Sequence, residues 1–107
     1  DKPCVTVAFV SSKIGEGKNV RSRPTYYYWF KDVDGKVIKG KISRSYMFDK
    51  LHPKDTFLVV FNESESYRHY VFKNAPTKEE IDKYIDGPKR ISQEEYEKWR
   101  EDYGFFD

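Results

Sequence analysis

Five aromatic residues stand side by side at positions 26–30, in the segment TYYYWFKDVDGK. Such a run could form a ligand platform, a membrane anchor or a core strand. Each ring removes roughly 150–250 Å² from water when it is buried, and a chain of 107 residues is expected to be one domain with one modest core. Because aromatics make up 18% of this chain, we predict a core strand over 26–33 whose rings supply most of the filling.

The alternation of a strand distributes these side chains over two faces. One face holds Tyr26, Tyr28 and Phe30, and the other holds Tyr27, Trp29 and Val33. Both faces are rich in rings, so the strand is predicted to be central or wrapped by a neighbour. Asp34-Gly35 then favours a tight hairpin turn with positive φ angles. The partner strand is predicted over 36–43, and Gly40 indicates a bulge or the close approach of an aromatic ring.

Three further segments have the composition of strands. Residues 4–10 alternate small and apolar side chains, residues 55–62 are almost continuously apolar as in a strand buried on both sides, and residues 67–72 alternate again. Residues 11–25 are predicted to form a long mobile loop that could extend into a ragged hairpin, and residues 44–54 a second loop.

Helical signals begin after the strands. Thr77 and Glu80 have capping-box spacing and open a short helix over about 78–85. Ser92 and Glu95 repeat the device before a second helix, which Gly104 ends. An aromatic stripe runs along that helix at Tyr96, Trp99 and Tyr103, and Phe105 can fold back on Trp99.

Strands followed by helices indicate an α+β fold. We predict a small five-stranded, mainly antiparallel β-barrel or curled sheet over residues 1–73, with two short C-terminal helices over 74–107 packed on it as part of one domain. The formal charge of +2 conceals an asymmetry, since residues 1–50 carry +6 and residues 51–107 carry −4. The acidic excess fits the surfaces of the helices, and the basic half could attract an acidic partner.

Few residues suggest catalysis. Cys4 is the single cysteine, which excludes an intrachain disulfide and a cysteine-rich metal site. Segment 12–19 resembles a phosphate loop but lacks its first glycine and its Mg²⁺-binding hydroxyl. His52 and His69 could pair with Cys4 or with nearby carboxylates, but no metal-ligand spacing supports this. We therefore predict a chain that is not an enzyme and has no cofactor or metal site.

Basic and aromatic residues together make a nucleic-acid-binding barrel one alternative. The candidate residues are Lys18, Arg21, Arg23, Tyr26, Tyr28, Lys39, Lys41, Arg44 and Arg68. The same lysines could instead form a solvated face that protects an edge strand from aggregation. At the C-terminus, Tyr103, Phe105 and Phe106 could form an oligomer contact or fold back over the barrel.

Residues 26–66 resemble a class of small bacterial β-barrel domains of unknown function found in exported or membrane-anchored proteins. The resemblance is carried by Tyr27, Trp29 and Val33 before Gly35, by Ile38 and Gly40, and by the strand DTFLVVFN. Lys31 and Lys54 depart from the pattern, at positions where the class prefers an aromatic and a glycine. The resemblance implies a cell-envelope setting and brings no catalytic residues.

The interpretation of the whole sequence is a non-catalytic binding or accessory module. A protein partner or a homodimer is the favoured ligand class, and nucleic acid is the alternative. No apolar run approaches the roughly 20 residues of a membrane span. The cell envelope is slightly favoured over the cytoplasm, through the resemblance alone.

Overall fold

The structure, a computed structural model, describes residues 2–14, 25–43, 56–73, 76–102 and 104–106, with the backbone alone for Lys13, Ile14 and Phe106. Its elements are β1 (Pro3–Ile14), β2 (Thr25–Lys31), β3 (Val37–Ser43), β4 (Thr56–Asn62), β5 (Glu65–Phe72), α1 (Lys78–Tyr84), β6 (Lys89–Arg90), α2 (Gln93–Asp102) and β7 (Phe105–Phe106). The predicted loop over 44–54 and most of the loop over 11–25 lie outside these residues.

The strands form one antiparallel sheet in the order β3-β2-β1-β4-β5-β7, and β6 adds to β1. The sheet curls until β5 contacts β2 and the loop that follows β2 through side chains. His69 of β5 lies 2.6 Å from the hydroxyl of Tyr28 in β2, and Ser66 of β5 donates to the Asp32 carboxylate at 3.0 Å. The result is a nearly closed five-stranded barrel followed by two helices, which confirms the predicted fold class.

Three of the five consecutive aromatic rings fill the barrel interior. Tyr26, Tyr28 and Phe30 are buried, and Phe30 packs against Phe61 of β4 with ring centroids 5.4 Å apart. The other two rings point outward. Tyr27 is 37% exposed, so the expectation that the whole run fills the barrel holds for one face of β2 only.

β1 and β4 separate two apolar layers, as their sequences predict. Cys4 and Ala8 of β1 face the interior, while Val5 and Val7 face the helices. β4 is buried on both sides, with Phe57, Val59 and Phe61 inside and Leu58 and Val60 outside. A strand with two buried faces can be apolar at every position.

The helices pack on the outer layer of the sheet. α1 begins with the predicted capping box, in which the Thr77 hydroxyl accepts from the Glu80 amide and the Glu80 carboxylate accepts from the Thr77 amide. Its Tyr84 is buried beside Trp99 of α2, with ring centroids 6.1 Å apart. The Ser92 hydroxyl accepts from the Glu95 amide at 3.0 Å and caps the start of α2.

The chain after α2 returns to the sheet. Gly104 has a φ of +72° and ends the helix, because its amide donates back to the carbonyl of Arg100 at 3.1 Å. Phe105 then pairs with Phe72 in β5 and packs on its ring at 4.9 Å. The C-terminal segment therefore adds a two-residue edge strand that the sequence analysis did not predict, as it did not predict β6.

Gly40 in β3 lies directly opposite Tyr28 in β2. A Cβ atom at Gly40 would lie 2.5 Å from the Cζ and Oη atoms of Tyr28, much closer than van der Waals contact. The tyrosine ring thus covers the glycine across the strand pair, and only glycine leaves room for it. This confirms the predicted close approach of an aromatic ring.

We expect Gly40→Ala to lower the free energy of unfolding by about 1–3 kcal/mol, because the methyl group displaces the Tyr28 ring from its position in the core. Urea denaturation measures the change. The control is Val37→Ala in the same strand, where the side chain is 47% exposed and the expected loss is below about 0.5 kcal/mol. Equal and small effects of the two variants would contradict the packing of Tyr28 on Gly40.

Candidate ligand-binding face

The turn between β2 and β3 decides which side chains share a face. The amide of Asp32 donates to the carbonyl of Lys36 at 2.9 Å, and the amide of Gly35 donates to the carbonyl of Asp32 at 3.0 Å. Three residues, 33–35, therefore lie outside the strand pairing, and Gly35 has the positive φ of +80°. This is a three-residue hairpin loop ending in a glycine bulge, and not the two-residue Asp34-Gly35 turn that we predicted.

The Asp32 carboxylate stabilises this loop. It accepts hydrogen bonds from the amides of Asp34 and Lys36, both at 2.9 Å, and from the Ser66 hydroxyl. Burial opposes its negative charge, but these hydrogen bonds outweigh the burial and hold the pKa of Asp32 below its usual value. The side chain of Asp32, at the start of the loop, therefore stabilises the loop conformation.

The extra loop residue reverses the pairing that a two-residue turn would give. Tyr27 lies opposite Lys41, and Trp29 lies opposite Lys39. Directly opposite residues of an antiparallel pair share a face. A two-residue turn would have shifted the register by one, with Lys41 opposite Tyr28 and Lys39 opposite Phe30, on the face of β2 that is buried in the barrel.

One outward surface of the hairpin therefore combines aromatic and basic side chains. We call it the aromatic–lysine face, and its members are Tyr27, Trp29, Lys31, Lys39 and Lys41. All three lysines are exposed, and neither β2 nor β3 contains an acidic residue. The charged side chains of this face are therefore all basic.

Trp29 is the anchored member of this face. Its indole is half-buried and stacks on the Phe9 ring of β1, with centroids 4.8 Å apart and 27° between the planes. Phe9 in turn packs against the cluster beneath the helices. The contact restricts the orientations that the indole can adopt.

The helices stop short of this face. The outer apolar cluster consists of side chains from β1, β4, β5, α1 and α2 and the segments that join them, without a member from β2 or β3 among the described residues. The two helices carry eight acidic and four basic residues. The helices that cover β1, β4 and β5 are therefore acidic, whereas the uncovered strands β2 and β3 are basic.

The other predicted binding residues lie elsewhere. Tyr26 and Tyr28 are inside the barrel, where a macromolecular ligand does not reach their rings. Arg68 is on β5 and forms an exposed ion pair with Glu65 at 3.8 Å. Four predicted basic residues lie outside the described part of the chain: Lys18, Arg21, Arg23 and Arg44.

The predicted oligomer contact is only partly described. Tyr103 lies outside the described residues, and of Phe106 only the backbone is described. Phe105 is half-buried and packs against Phe72 and Tyr96, with ring centroids 4.9 and 5.7 Å apart. Its ring contributes to the layer beneath the helices.

Arg68 also lines a cleft of about 380 Å³ between β5 and α2. The pairing of β4 and β5 shifts between Phe61 and Asn62, which leaves residues 66–68 as a bulge beside the cleft. Its lining combines Pro3, Val60, Phe61, Asn62, Glu65, Arg68, Tyr70, Gln93 and Tyr96. Acidic and basic side chains are mixed there, in contrast to the aromatic–lysine face.

His69, a candidate for acid–base chemistry, faces the barrel interior. Its Nδ1 lies 3.3 Å from the carbonyl of Tyr67, which can only accept, so Nδ1 carries the proton and Nε2 accepts from the Tyr28 hydroxyl. Burial lowers the pKa of His69 despite the opposing carbonyl contacts, and burial raises the pKa of Tyr28 to about 12. Both groups are therefore neutral near pH 7.

The remaining chemical candidates are isolated. Cys4 is buried, and burial is the main cause that raises the pKa of its thiol. His52 and residues 15–19 of the segment that resembles a phosphate loop lie outside the described residues. Within the described ranges, no three His, Cys, Asp or Glu side chains are grouped as a metal ion would need. No helix in the same ranges is both long and apolar enough to cross a membrane.

Comparison of the chain with family models, curated proteins and solved structures finds no match to any of them.

We expect the stability of the fold to decrease in the pH window between the usual histidine pKa of 6.5 and the lower pKa of His69 in the folded chain. The unfolded chain protonates His69 near its usual pKa of 6.5, whereas the folded chain does so only at lower pH. The stabilisation is therefore complete above pH 6.5 and is lost as the pH falls through the folded pKa. Urea denaturation over a pH series measures this slope.

His69→Gln should flatten the slope in that window, since glutamine does not titrate and still offers Tyr28 a hydrogen-bond acceptor. His52→Gln, which removes the other histidine, is the control. The Asp32 carboxylate loses its charge only at pH values below its usual range, so its contribution falls outside the window. An unchanged slope in His69→Gln would contradict the buried, neutral Tyr28–His69 pair.

Proposed function

We propose that this chain is a non-catalytic binding module that takes an anionic partner on the aromatic–lysine face. One observation carries the proposal: Tyr27 and Trp29 lie opposite Lys41 and Lys39 on a sheet surface that has no acidic side chain in either strand. Aromatic rings supply large contact areas at a low cost in side-chain entropy. The lysines add attraction for negative charge at the same place.

An edge strand also carries lysines for protection against aggregation. That role needs only charge, and it is served equally well beside small or polar neighbours. The aromatic neighbours distinguish this face, because protection against aggregation does not need them, whereas a ligand can pack on their rings. The combination of Tyr27 with Lys41 is therefore better explained by recognition than by protection alone.

A non-catalytic role is supported by the position of His69. Both of its ring nitrogens have hydrogen-bond partners within the fold, and its ring packs between Tyr28 and Phe30 inside the barrel. A general acid or base needs contact with the proton that it transfers. The side chains of the aromatic–lysine face are rings and amines without a nucleophile–base pair.

The double variant Lys39→Glu/Lys41→Glu should weaken binding to heparin, a polyanion, by at least about tenfold at low salt. Each reversal replaces an attraction with a repulsion of about 1 kcal/mol at contact distance in water, and about 1.4 kcal/mol corresponds to a factor of ten. Fluorescence anisotropy of labelled heparin measures the affinity, and circular dichroism verifies the fold.

Lys78→Glu/Lys89→Glu is the matched control, because it changes the net charge equally at two exposed lysines outside the face. It should weaken binding by less than about threefold, through the long-range field alone. Equal losses in the two double variants, or absence of heparin binding by the wild-type chain at low salt, would overturn the proposal.

A further inference from the structure

We infer that the ligand of the aromatic–lysine face is a single-stranded nucleic acid, whose bases stack on Tyr27 and Trp29 and whose phosphates pair with Lys41 and Lys39. This inference rests on the proposed function and adds the chemical class of the ligand. It follows from the arrangement of rings and charges along β2 and β3.

The aromatic–lysine face contains two similar units, and each unit consists of one aromatic ring and one lysine amine. Along β2 the rings recur every second residue, and across the pair each ring has a lysine opposite it. Opposite residues have Cβ atoms about 4.5–5.5 Å apart, so each ammonium group can reach the surroundings of its neighbouring ring. The natural complement is a polymer whose repeating unit holds one flat ring and one negative charge, and a nucleotide chain has that composition.

The spacing favours a single strand over a duplex. Residues two apart in a strand are separated by about 6.7 Å, whereas neighbouring bases in a duplex are stacked about 3.4 Å apart. Bases inside a duplex have no free face for a protein ring. Only bases that are splayed apart can lie on Tyr27 and Trp29 separately, as they do on the aromatic side chains of sheet-based RNA-binding domains.

The stacking of Trp29 on Phe9 also fits this ligand. Sequence-tolerant binding of single strands depends on aromatic side chains that present a ring to each base. Phe9 fixes the indole at 4.8 Å and thereby orients the second ring of the platform. An acidic peptide could pair with the lysines, but it has no flat ring in each repeating unit. It would therefore leave the rings of Tyr27 and Trp29 without a stacking partner.

Fluorescence titration with a short oligothymidylate tests the inference on the full chain. The chain has two tryptophans, so Trp99→Phe leaves Trp29 as the single reporter while a ring remains beside Phe72 and Tyr84. Oligothymidylate at low salt should quench Trp29 emission. The reciprocal variant Trp29→Phe, which reports from Trp99 beneath the helices, should show no quenching.

Tyr27→Ala should weaken oligothymidylate binding by about 5-fold to 150-fold, which is the usual loss for one base–ring stack. Its matched control is Tyr67→Ala on β5, because Tyr67 is a tyrosine with 68% of its surface exposed and lies outside the face. That variant should bind within about twofold of the wild type. Lys41→Ala should reduce the log–log salt slope by about 0.7, the value for one phosphate of a single strand.

The alternatives have distinct outcomes. Binding that is equal for the single strand and its duplex, and unaffected by Tyr27→Ala, would overturn the inference while the Lys39 and Lys41 dependence of heparin binding keeps the proposed function intact. Tighter binding of polyglutamate than of oligothymidylate would overturn it in favour of an acidic protein segment. Failure of both heparin and oligothymidylate to bind would overturn the two proposals together.

Discussion

The hydrogen bonds of Asp32 are the constraint on which the rest of the structure depends. Its backbone closes the three-residue loop with Lys36, and its carboxylate holds the amides of Asp34 and Lys36 within that loop. The same carboxylate accepts from Ser66, which ties the end of the β2–β3 hairpin to β5 and helps to close the barrel. One residue therefore stabilises the hairpin loop and also links the hairpin to β5.

The hydroxyl of Tyr28 makes a contact in the barrel that a phenylalanine of the same volume could not make. Its ring covers Gly40 across the hairpin, and its hydroxyl reaches His69 on the far side of the interior. A buried hydroxyl without a partner would destabilise the core by about 1–3 kcal/mol. Among the described residues no buried side-chain nitrogen or oxygen lacks a hydrogen-bond partner, so the polar groups of this small core are satisfied across the barrel.

Much of this fold could be predicted from periodicity and capping residues. The alternation in β1, the continuous apolar run of β4 and the capping box at Thr77 each have one structural solution, because side-chain direction and the unpaired amides of a helix are local properties. β6 and β7 were not predicted, because a strand of two residues is too short to show an alternating hydrophobic pattern. Their pairing is decided by where Ile91 and Gly104 place the backbone, which is a tertiary effect.

The candidate site was the harder part to predict, because one residue in a loop exchanges the two faces of a strand. Asp34-Gly35 is a common two-residue turn, and that interpretation gives a register in which Lys41 lies opposite Tyr28 and not opposite Tyr27. The sequence does contain the deciding signal. Asp32 and Gly35 occupy the first and fourth positions of a type I turn, the positions that favour aspartate and glycine.

The charge asymmetry of the sequence corresponds to two different surfaces of the fold. α1 and α2 together carry a net charge of −4, which equals the excess of the whole second half of the chain, and they cover β1, β4 and β5. β2 and β3 carry +3 and remain open on their outer surface. An anionic ligand is repelled by the covered half and attracted to the open half. The fold thus separates the charges of a nearly neutral chain, with Tyr27 and Trp29 on the positive side.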